Sequence, residues 1–291
     1  MQELAGSVVP YATLVFATSS MLAAGLSTSA SRIAGPVKNK LVVFLALIAN
    51  FVLVPLLGFL VVRAFRLEFP LAIGLFLVST AAGAPFLMKL VRVAHGSMSF
   101  AAALLVLLLP LTIVSLVGLV PLALPQAEVN AWAIAQPLLW SMLLPLAVGV
   151  LARPRMPALA ARMLPTLHRI STLSLVVLVA GTLFANWDTL GEIGFKGLFC
   201  AALLILGAFS IGYTLGGRLP KNRRVLALGT AQRNISAAAV VSTQTFANLP
   251  ATLSMVIATA LVGFALLFPL AYMLRRRAIR RERAQLREQE V

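Results

Sequence analysis

The chain has 291 residues, of which 60% are hydrophobic and only 11% charged, with a formal net charge of +16 and a mean hydropathy of +0.99. These values exclude an ordinary soluble domain and read as an integral membrane protein. The excess cations sit between apolar runs rather than on one face, which excludes a nucleic-acid surface, and one cysteine, Cys200, excludes an internal disulfide or a thiolate metal cluster.

A span needs about 20 mostly apolar residues to cross roughly 30 Å of hydrocarbon. The sequence divides into nine such segments: 7–26, 40–64, 70–95, 97–124, 131–152, 163–186, 194–217, 222–246 and 250–274. Glu3 is the only charge before the first, so the basic region of a cleaved leader is missing and the segment reads as retained. Cations crowd alternate loops: Arg32, Lys38 and Lys40; then Arg153, Arg155, Arg162 and Arg169; then Arg218, Lys221, Arg223 and Arg224; then the arginines after Leu274. The other loops hold only Arg63, Arg66 and Lys196. The excess of cytoplasmic Lys and Arg then predicts a multi-pass protein of the cell membrane, N-terminus outside and C-terminus inside. Residues 275–291 read as a basic cytoplasmic tail, a stop-transfer anchor able to lie against anionic headgroups.

The third segment, "LFLVSTAAGAPFLMKLVRVAHGS", carries Gly83 and Pro85 in mid-span, followed by Lys89 and Arg92. The eighth, "ALGTAQRNISAAAVVSTQTF", carries Gly229 and then Gln232, Arg233 and Asn234 side by side. Glycine and proline free backbone groups from the helical ladder, and at membrane depth those groups need partners in protein or in a wet cavity. Two interrupted spans, one in each half of the chain, are the mark of an inverted-repeat transporter with its site near the bilayer midplane.

The acidic residues, Glu3, Glu68, Glu128, Asp188, Glu192, Glu282, Glu288 and Glu290, all fall in tails, loops or span ends. Sodium favours several oxygen ligands and some negative charge, and proton relays use acids or histidines within spans; both lack their usual group here. His95 and His168 are far apart in sequence and begin no ligand motif, so they read as loop histidines, and no metal site is expected. A cation at the bilayer centre costs at least about 2.5–3.5 kcal/mol and is kept where it meets water, a partner or a ligand. Arg233 therefore reads in two ways. Its planar fork holds an anionic substrate, or it caps the carbonyls of a broken half-helix. Gln232, Asn234 and Ser236 either bind substrate or satisfy unwound backbone. Lys89 is a further substrate candidate, Arg92 reads as a snorkelling side chain, and Ser79 and Thr80 are expected to bond back within their helix.

At these residues the chain resembles the bile acid:sodium symporters, over "MLAAGLST" (21–28), "ALIANFVLVP" (46–55), "AGAPFLMKLVRVAHGS" (82–97) and "AQRNISAAAV" (231–240). The resemblance implies an all-α membrane protein of about nine helices, with a panel domain at about 7–26 and 131–186. It implies a core at about 40–124 and 194–274, where two broken helices cross. It also implies transport of organic anions, generally with sodium. The departures fall on the ion ligands. Leu87 and Met88 stand where the family has a Ser-Asn pair, Phe100 to Leu111 carries no hydroxyl, and Leu228 replaces a glutamate ahead of Gln232. Asn50 stands where a glutamine lies near the second ion.

The expectation is one transporter domain, 1–291, that binds an organic anion through Arg233, Gln232, Asn234, Ser236, Lys89 and Asn50, with crossover backbone at Gly83, Pro85 and Gly229. It works by alternating access without a cofactor, sodium being the one candidate coupling ion. Exchange, facilitated transport and a residual sodium symport remain open, as does an arsenite- or auxin-type efflux carrier. An enzyme would need converging acid, base or nucleophile groups, and a channel a continuously lined pore. Oligomeric state is left open.

Overall fold

The computed structural model describes residues 2–27, 40–125, 130–185 and 187–289, and every described element is a helix. Arg32, Lys38, Glu128 and Glu290, used above in the charge pattern, lie outside the described residues.

In chain order the helices are α1 (Gln2–Ser27), α2 (Lys40–Ala64), α3 (Phe69–Thr80), α4 (Leu87–Val93), α5 (Met98–Ala123) and α6 (Ala131–Arg155). They continue as α7 (Pro157–Ala185), α8 (Trp187–Leu215), α9 (Pro220–Ala231), α10 (Ile235–Gln244) and α11 (Pro250–Gln289). Prolines occupy the first or second position of α3, α7, α9 and α11, where the missing N–H costs nothing and the fixed φ starts a helix. Ser97 and Asn130 cap α5 and α6 by accepting from the Phe100 and Trp132 amides.

Two helices carry a turn of π-helix, Ala49–Leu53 in α2 and Leu139–Leu143 in α6, each just ahead of a proline, Pro55 and Pro145. A proline inside a helix has no N–H to donate and its ring crowds the carbonyl one turn back; the wider turn relieves both, and in α2 it contains Asn50.

Among the described residues seven helices are long and apolar enough to cross a membrane, and this is a multi-pass membrane protein. The two remaining predicted spans, 70–95 and 222–246, are each a pair of half-helices, α3 with α4 and α9 with α10. At 1.5 Å per residue, the longest of these is about 18 Å and cannot cross alone.

α1 packs along α6 and α7, and meets α10. α8 packs on α2, α9 and α11, and α11 also packs along α3. Leu75, Leu77, Leu87, Leu104, Leu105 and Leu108 are fully buried among them. α7 is largely exposed along its length, as a helix facing lipid would be.

Candidate functional site

The site is where the two broken segments meet. α3 stops at Thr80, and Ala81 turns out of the helix at φ −84°, ψ 92°. Gly83 then takes φ +73°, a conformation open to glycine, and a Cβ there would lie 2.8 Å from the Cβ of Leu108. Pro85 follows and α4 starts at Leu87. In the second segment α9 ends at Ala231, Gln232 is extended at ψ 99°, and Asn234 caps α10. Gly229 is not at this break. It lies inside α9, where a Cβ would press within 3.0 Å of Leu104 and 3.1 Å of Leu87, so its role is close packing against α4 and α5.

Five carbonyls freed along the end of α3 and the break after it find donors, as burial favours. The Asn234 amide donates to Ala81 O at 2.8 Å, tying the two breaks together. Asn234 Nδ2 donates to Gly83 O at 3.2 Å, and Thr112 Oγ1 to Ala82 O at 2.7 Å. Val78 O and Ser79 O are taken by Arg233, from Nε at 3.1 Å and Nη2 at 2.7 Å. Arg233 Nη1 donates to Thr230 O at 3.1 Å and to Asn50 Oδ1 at 2.9 Å. Asn50 is held in turn by its own donations to Ala46 O at 2.9 Å and Thr230 Oγ1 at 3.4 Å.

Arg233 is thus 1% exposed, with four oxygens around its guanidinium. Four of its five N–H donors are used by the last turns of α3 and α9 and by the π-turn of α2. Helix C-termini carry about half a negative charge each, so the guanidinium sits where two negative helix ends converge. Among the described side chains the one carboxylate, Glu68, stands at the opposite end of α3. Among the described side chains no acid balances the arginine; dipoles do.

Beside this network lies a cavity of about 160 Å³. Its crossover wall is Ala84 to Phe86 and Gln232 to Ser236, with Lys89 at one edge. Its opposite wall comes from α1 (Phe16, Ser20) and α7 (His168, Ser171, Thr172, Leu175), and Phe264 of α11 closes one side. Ser236 Oγ donates to Asn234 Oδ1 at 2.7 Å, which also accepts from the Ala237 amide at 3.2 Å, fixing the first turn of α10. The Lys89 ammonium, exposed, stands 5.2 Å from the centre of the Phe86 ring. The positive start of α10 and two cationic side chains therefore border a space otherwise walled by rings and aliphatic groups.

Of the predicted site residues, Arg233, Gln232, Asn234, Ser236, Lys89 and Pro85 line this cavity. Asn50 does not: it is fully buried behind Arg233 and orients it. Arg92 is exposed and outside the cavity wall. Ser79 and Thr80 bond back to Phe76 O, as their place in the helix predicts.

Two residues were missed. Thr112 lies one position past the stretch without hydroxyls and closes the Ala82 carbonyl. His168 is not a loop residue but lies within α7, exposed at the cavity. The available signal was the spacing of His168, Ser171, Thr172 and Leu175, three and four residues apart on one helical face.

Comparison with known proteins gives two findings. The model of the sodium bile acid symporter family matches residues 14–193. The chain is also 28% identical, over 200 residues, to the chloroplastic probable sodium/metabolite cotransporter BASS2 of Oryza sativa subsp. japonica. That alignment covers 67% of this chain and 47% of the rice protein, so the chain spans less than half of that relative. Arg233 and the second break lie beyond the stretch matched by the family model.

Proposed function

The chain belongs to the sodium bile acid symporter family, and from that premise we propose a secondary transporter of small organic anions in which Arg233 takes the place of a bound coupling cation. The observation that carries this is the guanidinium bonded to Val78 O, Ser79 O, Thr230 O and Asn50 Oδ1. Backbone carbonyls at the C-terminal ends of broken half-helices are what transporters use to coordinate sodium or protons, while half-helix N-termini face anionic cargo. Here a covalently attached cation saturates the first arrangement, and the cavity borders the second. Leu87 and Met88 offer no oxygen ligands in exchange. The name of the rice relative points to sodium coupling; the filled oxygen cage supports sodium-independent exchange or facilitated transport instead.

Sites for drug-sized ligands run to about 300–1,000 Å³. The 160 Å³ space suits a compact organic acid better than a steroid. Its charge would be met by Lys89 and the start of α10, and its carbon skeleton by Phe16, Leu175 and Phe264. The cavity is walled by α1 and α7 on one side and the crossover on the other, which supports a panel of α1, α6 and α7 rocking against a core of the remaining helices. With the loop charges as counted above, the N-terminus would lie outside and the C-terminus in the cytoplasm.

Counterflow in proteoliposomes, across a panel of radiolabelled organic anions with sodium or choline as the salt, tests the proposal. The expected result is saturable exchange of a small carboxylate or sulfonate at equal rates in both salts. Saturable stimulation by sodium would overturn it.

A further inference from the structure

A second, smaller cavity lies where the apolar part of α11 ends. In α11 the stretch from Pro250 to Leu274 gives way to Arg275, Arg276 and Arg277, and at this level Tyr213, Arg223, Arg224, Leu274 and Arg277 enclose about 50 Å³. None of its lining residues is acidic.

Its guanidinia are placed rather than loose. Arg223 donates from Nε at 3.1 Å and from Nη2 at 2.9 Å to Gly217 O, and stands 5.4 Å from the centre of the Tyr213 ring. These bonds commit two of its five N–H donors. Arg224 Nη1 reaches across to His95 O at 2.7 Å and Ala94 O at 3.3 Å, at the end of α4. Arg277 is exposed at the rim. One water needs about 10–15 Å³ of such space, so the cavity has room for one small oxyanion, and forked arginines are matched to phosphate oxygens.

We propose that this cavity binds the phosphate of an anionic glycerophospholipid. A lipid fits better than free phosphate because the cavity opens where apolar helix surface begins. Phe268, Tyr272 and Met273, one to two turns back along α11, are exposed and offer acyl chains an apolar wall. Basic pockets between helices at the cytoplasmic face are established headgroup sites. Occupancy has a structural consequence, because α9 runs from this cavity into Gln232 and Arg224 holds the outer end of α4. A phosphate bridging Arg223 and Arg277 ties α9 to α11, and the Arg224 bonds to Ala94 O and His95 O extend that tie to the end of α4.

The test uses the full chain in detergent, titrated with dioctanoyl-phosphatidylglycerol, dioctanoyl-phosphatidylcholine or inorganic phosphate, and read by native mass spectrometry and thermal melting. Phosphatidylglycerol is expected to bind one copy and raise the melting temperature. Arg277→Gln should weaken that binding about fivefold, the equivalent of roughly one headgroup-level cation. Arg280→Gln, in the same basic stretch but outside the cavity, should leave it unchanged. Equal weakening by both variants, or by neither, overturns the site. An equal melting shift with inorganic phosphate overturns the lipid assignment.

Discussion

Replacing Arg233 by alanine probes the centre of the crossing directly. Ser79 O, Thr230 O and Asn50 Oδ1 have no other described donor, whereas Val78 O still receives the Ala81 amide at 3.3 Å. Three buried acceptors left unpaired cost about 1–3 kcal/mol each. Against this, the chain no longer buries a charge, a relief of about 2.5–3.5 kcal/mol. The difference is a destabilisation on the order of 3 kcal/mol, or roughly 6–12 °C in melting temperature. The vacated oxygens should then accept an external cation. Methylguanidinium at about 100 times its dissociation constant would return about 2.7 kcal/mol, nearly the whole loss, and sodium should restore the variant in part while leaving the parent chain unmoved. The assay is thermal unfolding followed by the fluorescence of Trp132 and Trp140, with choline as the control salt. An Arg233→Ala protein that melts with the parent, or that gains nothing from methylguanidinium over choline, would refute the reasoning.

Lys89→Gln removes an exposed charge at the cavity edge without touching the crossover bonds, so it should raise the KM for anion exchange roughly three- to tenfold and leave melting unchanged. Gly83→Ala forces a side chain into φ +73° against Leu108 and should cost about 1–3 kcal/mol. Gly118→Ala, in α5 with nothing within 4 Å of the new Cβ, should instead stabilise by about 0.4–1 kcal/mol; parallel melting curves decide both. Asn234→Ala loses a helix cap and the bond to Gly83 O, for an expected loss of about 1–2 kcal/mol, visible as a lowered melting temperature.

What could be read from residues alone was the membrane class, the two interrupted spans and the presence of an arginine between them. Hydropathy reports the first, because about 20 apolar residues in a row have few other uses. Gly83 and Pro85 report the break in α3 and α4 by local rules. The second break is different: Gly229 sits inside regular helix, and the chain leaves α9 only at Gln232, where partners 150 residues away accept the freed groups. No local signal carries those bonds. The same limit explains Asn50, which looks like a ligand in sequence and is the support behind Arg233, and Thr112, whose one bond crosses to the break between α3 and α4. Of the two readings open for Arg233, the carbonyl cap is the one realised in these bonds, and it leaves the residue bordering the cavity as well.

A cation fastened to the polypeptide differs from a dissolved one in a way that a whole turnover exposes. A dissolved ion leaves at the far face and hands over the free energy of its own gradient; Arg233 returns with the protein each time and hands over nothing. On the proposed reading, the charge transferred per cycle of uncoupled transport is therefore the cargo's alone. At about 2.3 kcal/mol per elementary charge per 100 mV, a negative cell interior pushes a monovalent anion outward, and such a carrier would export unless a counter-anion travels the other way.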